Sequence, residues 1–234
     1  QRKTFGTLRD LLREEARTVG VIEELPDRGI VKYAKPVGVV TAVCPSTNPA
    51  ATPVNKSMFA IKGRNAVVLA PSPAGLSATS GVADMMRAEL AGAGHPEDLV
   101  QVLPTVSKSL TQKLMDASDL VVVTGSQDNV RRAYSSGKPA IGVGLGNAPV
   151  IIDETADFKD AAEKIHLSKT FDNATSCSSE NAIIIVDAAY DDALAALEAV
   201  GGYLATPEEK QKIQDNLWLN GKLNRHMIAK GAAV

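Results

Sequence analysis

Aromatic side chains are scarce in this chain: they make up 4% of its residues, with a single Trp. Its core therefore has to be built from aliphatic and small residues. No apolar run approaches the roughly 18 residues of a membrane-spanning helix, and no secretory signal stands at the N-terminus. Charge of one sign is lacking as well. The 25 Lys and Arg nearly offset the 27 Asp and Glu, and a net charge of −2 leaves no basic footprint for a nucleic acid. Only two cysteines occur, Cys44 and Cys177. One possible disulfide is no framework for a chain of this length, so a reducing, cytoplasmic setting is expected. The histidines, His95, His166 and His226, are scattered without metal-ligand spacing. Neither a G-x-x-x-x-G-K-[ST] loop nor a G-x-G-x-x-G turn with a downstream acidic residue is found, and there is no G-x-S-x-G elbow. A P-loop, an ordinary dinucleotide fingerprint, a serine hydrolase and a histidine metal site are not indicated.

What is present is a rhythm of short apolar strands and helices. The 234 residues, 44% hydrophobic, suffice for one large domain or two small ones. Residues 1–25 read as a charged helix stopped by Pro26, Asp27 and Gly29. After the run 29–34, the segments 37–44, 65–70, 99–103, 120–124 and 182–187 read as strands, 139–146 as a Gly-rich strand and turn, and 150–153 as a short apolar segment. Helices are expected over 50–63, 75–93, 107–117, 130–136, 158–168, 189–202 and 207–219. Near-continuous apolar strands such as VGVVTAVC and LVVVT imply burial on both faces, hence an α/β fold with a mainly parallel, Rossmann-like sheet. A change near residue 147 divides the chain into a nucleotide-binding domain over 1–147 and the start of a second α/β, catalytic domain over 148–234.

Three stretches carry candidate chemistry. Cys177 lies in the polar tract FDNATSCSSEN, just before the strand AIIIVD. A thiol there is reachable and close to backbone N–H donors, as a nucleophile requires, whereas a structural cysteine normally sits in an apolar pattern. Thr124, Gly125 and Ser126 join a strand to a helix, where small residues and free N–H groups admit a phosphate; a plain tight turn is the alternative. Gly142, Gly144 and Gly146 alternate in GVGLG. On a strand they bare one face, open either to a planar ring such as nicotinamide or to a closely packed helix.

Taken in order, KPVGVVTAVCPSTNP, RNAVVLAPSP, VVVTGS, YSSGKPAIGVGLGNAPVIIDETAD and SKTFDNATSCSSENAIIIVD resemble the aldehyde dehydrogenase superfamily. The last two resemble its CoA-acylating branch, including the aldehyde dehydrogenase half of bifunctional aldehyde–alcohol dehydrogenases. The resemblance runs from about Lys32 to nearly the end of the chain. It implies Cys177 as nucleophile, with its own N–H and Thr47 as oxyanion donors. It further implies Pro45, Ser46, Thr47, Asn48, Pro49 and Ala50 along the cofactor and aldehyde site, and Gly125, Ser126 and Gly144 at the dinucleotide. NAD or NADP is the implied cofactor and coenzyme A the co-substrate, with no metal. Aligning GLGNAP with the E-L-G-G-K motif of hydrolytic members puts Val143 where those carry the water-activating Glu, and valine is no base. PSTNPAATPVNK and FDNATSCSSEN are most similar to sulfoacetaldehyde enzymes, with acetaldehyde and succinate-semialdehyde enzymes close behind. Family members are longer, so the resemblance also implies a fragment of a homo-oligomeric enzyme. A hydrolytic dehydrogenase and a non-catalytic nucleotide-binding fragment are the competing readings.

Overall fold

The computed structural model describes residues 2–13, 17–227 and 230. Two units divide the chain, residues 1–145 and 146–234.

In the first unit, helix α1 (Arg2–Arg13) precedes an antiparallel hairpin of β1 (Gly20–Leu25) and β2 (Ile30–Ala34). The hairpin corrects the expected helix over 1–25, of which residues 1 and 14–16 lie outside the described part. Val21 and Leu25 are four residues apart, a spacing that one helical turn and an alternating strand satisfy equally. Pairing with Ile30–Ala34 settles the matter in favour of the strand. Pro26, Asp27 and Gly29 end no helix. They form the turn of the hairpin, and Gly29 reverses the chain with a left-handed backbone (φ 64°, ψ 26°).

The sheet follows. In chain order its elements are β3 (Val39–Val43), α2 (Ala51–Lys62), β4 (Ala66–Ala70), α3 (Leu76–Gly92), β5 (Val100–Val102), α4 (Lys108–Ala117), β6 (Leu120–Thr124), α5 (Gln127–Tyr134) and β7 (Ala140–Val143). The five strands are parallel and lie in the order β5-β4-β3-β6-β7. Val40, Ala42, Val67, Leu69 and Val100 pack on one face with Ala60 of α2 and Ala83 of α3. Val43, Val121 and Val123 pack on the other with Met115 of α4 and with Val130 and Ala133 of α5. Burial on both faces is why the central strands β3, β4 and β6 are nearly all apolar; each fully buried Val or Leu contributes about 1.5–3 kcal/mol. Thr41 and Ser118, buried in this core, are satisfied together: the Ser118 hydroxyl donates to the Leu114 carbonyl at 2.7 Å and accepts from the Thr41 hydroxyl.

Helix α5 settles the fate of the alternating glycines. A Cβ on Gly142 would lie 2.8 Å from Val130 Cγ1 and 3.1 Å from Tyr134 Cε2, and one on Gly144 would lie 2.5 Å from Gln127 Oε1. Val130 and Tyr134 of the helix thus occupy the bare face at Gly142, and at Gly144 the neighbour is the end of the Gln127 side chain.

The second unit contains β8 (Ala148–Ile152), α6 (Phe158–Thr170) and β9 (Glu180–Ile185), a parallel strand pair joined through a helix. Asp157 caps α6 by accepting from the Asp160 N–H at 3.0 Å. Helix α7 (Tyr190–Ala199) packs on α6. Thr206 and Glu209 form a capping box at the start of α8 (Pro207–Leu217). The helix expected over 207–219 stops at Leu217 because Trp218 and Leu219, as β10, pair with Lys222 and Leu223, as β11. Among the described residues, no helix is long and apolar enough to cross a membrane.

The close fit of α5 on β7 is testable. Gly142→Ala drives a methyl into Val130 and Tyr134, and is expected to lower unfolding free energy by roughly 1–3 kcal/mol. Urea melts will show this as a lower midpoint at unchanged slope.

Candidate functional site

From β3 the chain runs outward to β4 and β5, then crosses back to place β6 and β7 on the opposite side of β3. The β3–β6 junction is thus the point where strand order reverses. In open parallel sheets a crevice forms there, outside the carboxyl ends of the strands. Residues 45–50 follow β3, Gly125 and Ser126 follow β6, and Gly144 follows β7. The sheet therefore brings these expected residues to one edge of the first unit. Cys177 belongs to the second unit.

The 45–50 loop is pinned from below. Buried Thr79 of α3 donates its hydroxyl proton to the Pro49 carbonyl at 2.9 Å, and the Asn48 carbonyl accepts from Thr52 N–H at 3.4 Å. Gly75 lets the chain after β4 approach closely: a Cβ there would lie 2.9 Å from both Pro49 Cβ and Ser72 Oγ. Ser46, Thr47 and Ala50 remain exposed, while Pro45, Asn48 and Pro49 are half-buried. Across the junction, Gly125 N–H donates to the Val143 carbonyl at 3.0 Å, and Ser126 caps α5 by accepting from Asn129 N–H at 3.4 Å. A helix N-terminus beside a small-residue turn is a donor set suited to a pyrophosphate. Val143, the last residue of β7, is half-exposed.

Sequence reasoning missed Lys56. It lies on the inner stripe of α2, three residues after buried Pro53 and four before buried Ala60. That spacing, in a helix with a buried face, was the available signal. Its ammonium donates to the Val43 carbonyl at 2.7 Å and the Val122 carbonyl at 3.0 Å. Burial pushes Lys56 down from 10.5 to about 8 and the neighbouring Cys44 thiol up from 9.0 to about 11; their attraction for one another opposes both shifts.

Cys177 is exposed at the second position of a turn closed by Ser179 N–H donating to the Ser176 carbonyl at 3.0 Å. The approach to this turn is unusual. Asp172, Asn173 and Ala174 all have left-handed backbones, with φ of 55°, 50° and 56°. Such conformations cost roughly 1–2 kcal/mol per non-glycine residue. The turn rests on Gly146, where a Cβ would come within 3.2 Å of the Cys177 carbonyl. Asn181 donates to the Gly146 carbonyl at 3.4 Å and accepts from Lys169 at 3.3 Å. Behind it the Ser179 hydroxyl, in a residue only 2% exposed, has no hydrogen-bond partner among the described residues.

The Lys56–Cys44 pair predicts a stability profile. Between pH 8 and 10.5 the unfolded chain holds a Lys56 proton that the folded chain has lost, so this group makes stability rise with pH. Between pH 9 and 11 the folded chain keeps a Cys44 proton that the unfolded chain has lost, so that group makes it fall. Each complete swing is on the order of 3 kcal/mol. Urea melts compared between wild type and Lys56→Met should isolate the rise, which begins near pH 8. Comparison with Cys44→Ala should isolate the fall, which begins near pH 9.

A model of the Aldehyde dehydrogenase family matches residues 3–206. A sulfoacetaldehyde dehydrogenase (acylating) of Cupriavidus necator is 56% identical over 223 residues, 95% of this chain and 45% of that protein. Among solved structures, an acetylating aldehyde dehydrogenase from Geobacillus thermoglucosidasius superposes with a TM-score of 0.88 at 35% identity, over 98% of this chain and 50% of that one. A propionaldehyde dehydrogenase from Rhodopseudomonas palustris, solved with bound CoA and an acylated cysteine, gives 0.79 at 32% identity, over 85% and 46%. The chain spans about half the length of the curated acylating sulfoacetaldehyde dehydrogenases it matches. With the family match reaching through the sheet of the first unit and on past the cysteine turn of the second, the chain belongs to the aldehyde dehydrogenase family.

Proposed function

We propose that the protein is a CoA-acylating aldehyde dehydrogenase that converts a short aldehyde to an acyl-CoA. The observation that carries this reading is an exposed Cys177 together with a valine, Val143, at the position where hydrolytic members carry their water-activating Glu. The high identity to an acylating sulfoacetaldehyde enzyme supports it, and makes sulfoacetaldehyde the leading aldehyde.

In this reading Cys177 attacks the aldehyde carbon as a thiolate. The negative charge that develops on the aldehyde oxygen is held by the Cys177 N–H, with Thr47 as the second donor. NAD or NADP, when bound, supplies the hydride acceptor. Residues 45–50 at the end of β3, Gly125 and Ser126 at the start of α5, and Gly144 would hold that cofactor. The acyl group left on Cys177 is a thioester. Valine cannot take a proton from water, so the thioester outlasts hydrolysis and is passed to the thiol of CoA. Two free cysteines accord with a reducing, cytoplasmic setting, and the full-length enzyme is read as a homo-oligomer.

The test is NADH or NADPH formation by the full-length protein, with and without CoA, from sulfoacetaldehyde, acetaldehyde and succinate semialdehyde. Strict CoA dependence is expected, fastest with sulfoacetaldehyde. Free acid formed without CoA would instead establish the hydrolytic reading. Cys177→Ala should lower turnover by about 10³-fold or more while leaving dinucleotide binding nearly intact.

A further inference from the structure

We propose that Lys56 is a positioning residue for the ligand-binding edge of the sheet, its ammonium tying the ends of β3 and β6 together where the two strands part. The inference rests on the reading of that edge as the cofactor site. Val43 and Val123 form the last paired position of the β3–β6 ladder. Immediately beyond it the two strands bond only their outer neighbours: Cys44 N–H donates to the Ala70 carbonyl at the end of β4 at 3.0 Å, and Gly125 N–H to the Val143 carbonyl at the end of β7, also at 3.0 Å. Backbone pairing therefore stops holding the two strands together just where the crevice opens. Lys56 spans this point, with one proton on the Val43 carbonyl and another on the Val122 carbonyl.

A lysine serving only as filler would carry its charge to solvent along its flexible stem. This one brings the charge inward, and among the described residues no carboxylate forms an ion pair with it. Backbone carbonyl dipoles are its counterpart. Both strands continue directly into the segments that hold the cofactor: Val43 stands two residues before Pro45, and Val122 three before Gly125. Releasing the brace frees those segments to separate. Of the groups around it, Cys44 at the end of β3 is the titratable one; β6 offers Leu120–Thr124, and α2 offers Asn55 and Ser57 beside it. Because burial lowers the pKa of Lys56 to about 8, the brace is charged at neutral pH and loses its charge above that.

The experiment is a titration of the full-length protein with NAD+ and NADP+ at pH 7 and pH 9, for wild type, Lys56→Met and Lys56→Arg, with thermal melts alongside. Lys56→Met is expected to melt no lower than wild type at pH 7, since a buried charge is replaced by an apolar chain of similar shape. It should nevertheless bind the preferred dinucleotide about tenfold or more weakly. Lys56→Arg, which keeps the donors, should recover part of that loss. Wild-type affinity should drop between pH 7 and pH 9, and that of Lys56→Met should not. If wild type binds dinucleotide and Lys56→Met matches it at both pH values, the inference is overturned while the reading of the edge stands. If wild type binds neither dinucleotide, that reading fails and takes the inference with it. Should Lys56→Met not fold, Lys56→Leu and Lys56→Gln take its place, and wild-type dinucleotide affinity in a folded Lys56→Leu overturns the proposal.

Discussion

Pairing of β3 with β6 at the centre of a parallel sheet is the constraint from which the first unit follows. The two strands are hydrogen-bonded to each other, yet lie far apart in sequence. Between them the chain must build β4 and β5 on one side and then return. Helices α2 and α3 consequently cover one face, and α4 and α5 the other. Apolar residues are then needed on both sides of every central strand, and the carboxyl ends of β3 and β6 must diverge into separate loops. A buried core and an open edge are thus products of one topology.

What lines that edge is set by how closely the backbone can approach. Gly75 brings the turn after β4 against the 45–50 loop, and Thr79 fixes the Pro49 carbonyl from beneath. Gly142 and Gly144 let α5 lie flat on the end of β7, which sets the direction in which its N-terminus points. In the second unit Gly146 plays the same part for the turn that carries Cys177. Small residues serve in all these places to fix where backbone groups stand.

Much of this was legible in the sequence because buried parallel strands write themselves as unbroken apolar runs. VVTAV, AVVLA and LVVVT are strands for a reason visible without coordinates. The cysteine turn was legible too, since a thiol among Asn, Thr and Ser belongs to no core. The β1–β2 hairpin was not, because VIEEL fits both periods and its partner strand lies beyond the turn. The glycine ladder in GVGLG showed a bare face without showing that α5 occupies it at Gly142. Lys56 went unnoticed because a lysine in a helix reads as a solvated residue; only the position of Pro53 and Ala60 on the same stripe marks it as inward-facing. Residues with long polar side chains carry the least local information about direction, since they reach either way.

The central claim concerns what happens to an acyl group once it is attached to Cys177. A thioester in water persists when no positioned base activates a nucleophile against it, and in the proposed reading Val143, the last residue of β7, stands where hydrolytic members carry that base. Intact-mass measurement of the full-length protein tests this most directly. The protein is mixed with aldehyde and oxidised dinucleotide in the absence of CoA, and CoA is added afterwards. The account predicts a single acyl adduct, mapped to Cys177, that persists until CoA arrives and then leaves as acyl-CoA. Accumulation of free carboxylic acid over many turnovers before CoA is added, with no lasting adduct, would contradict it.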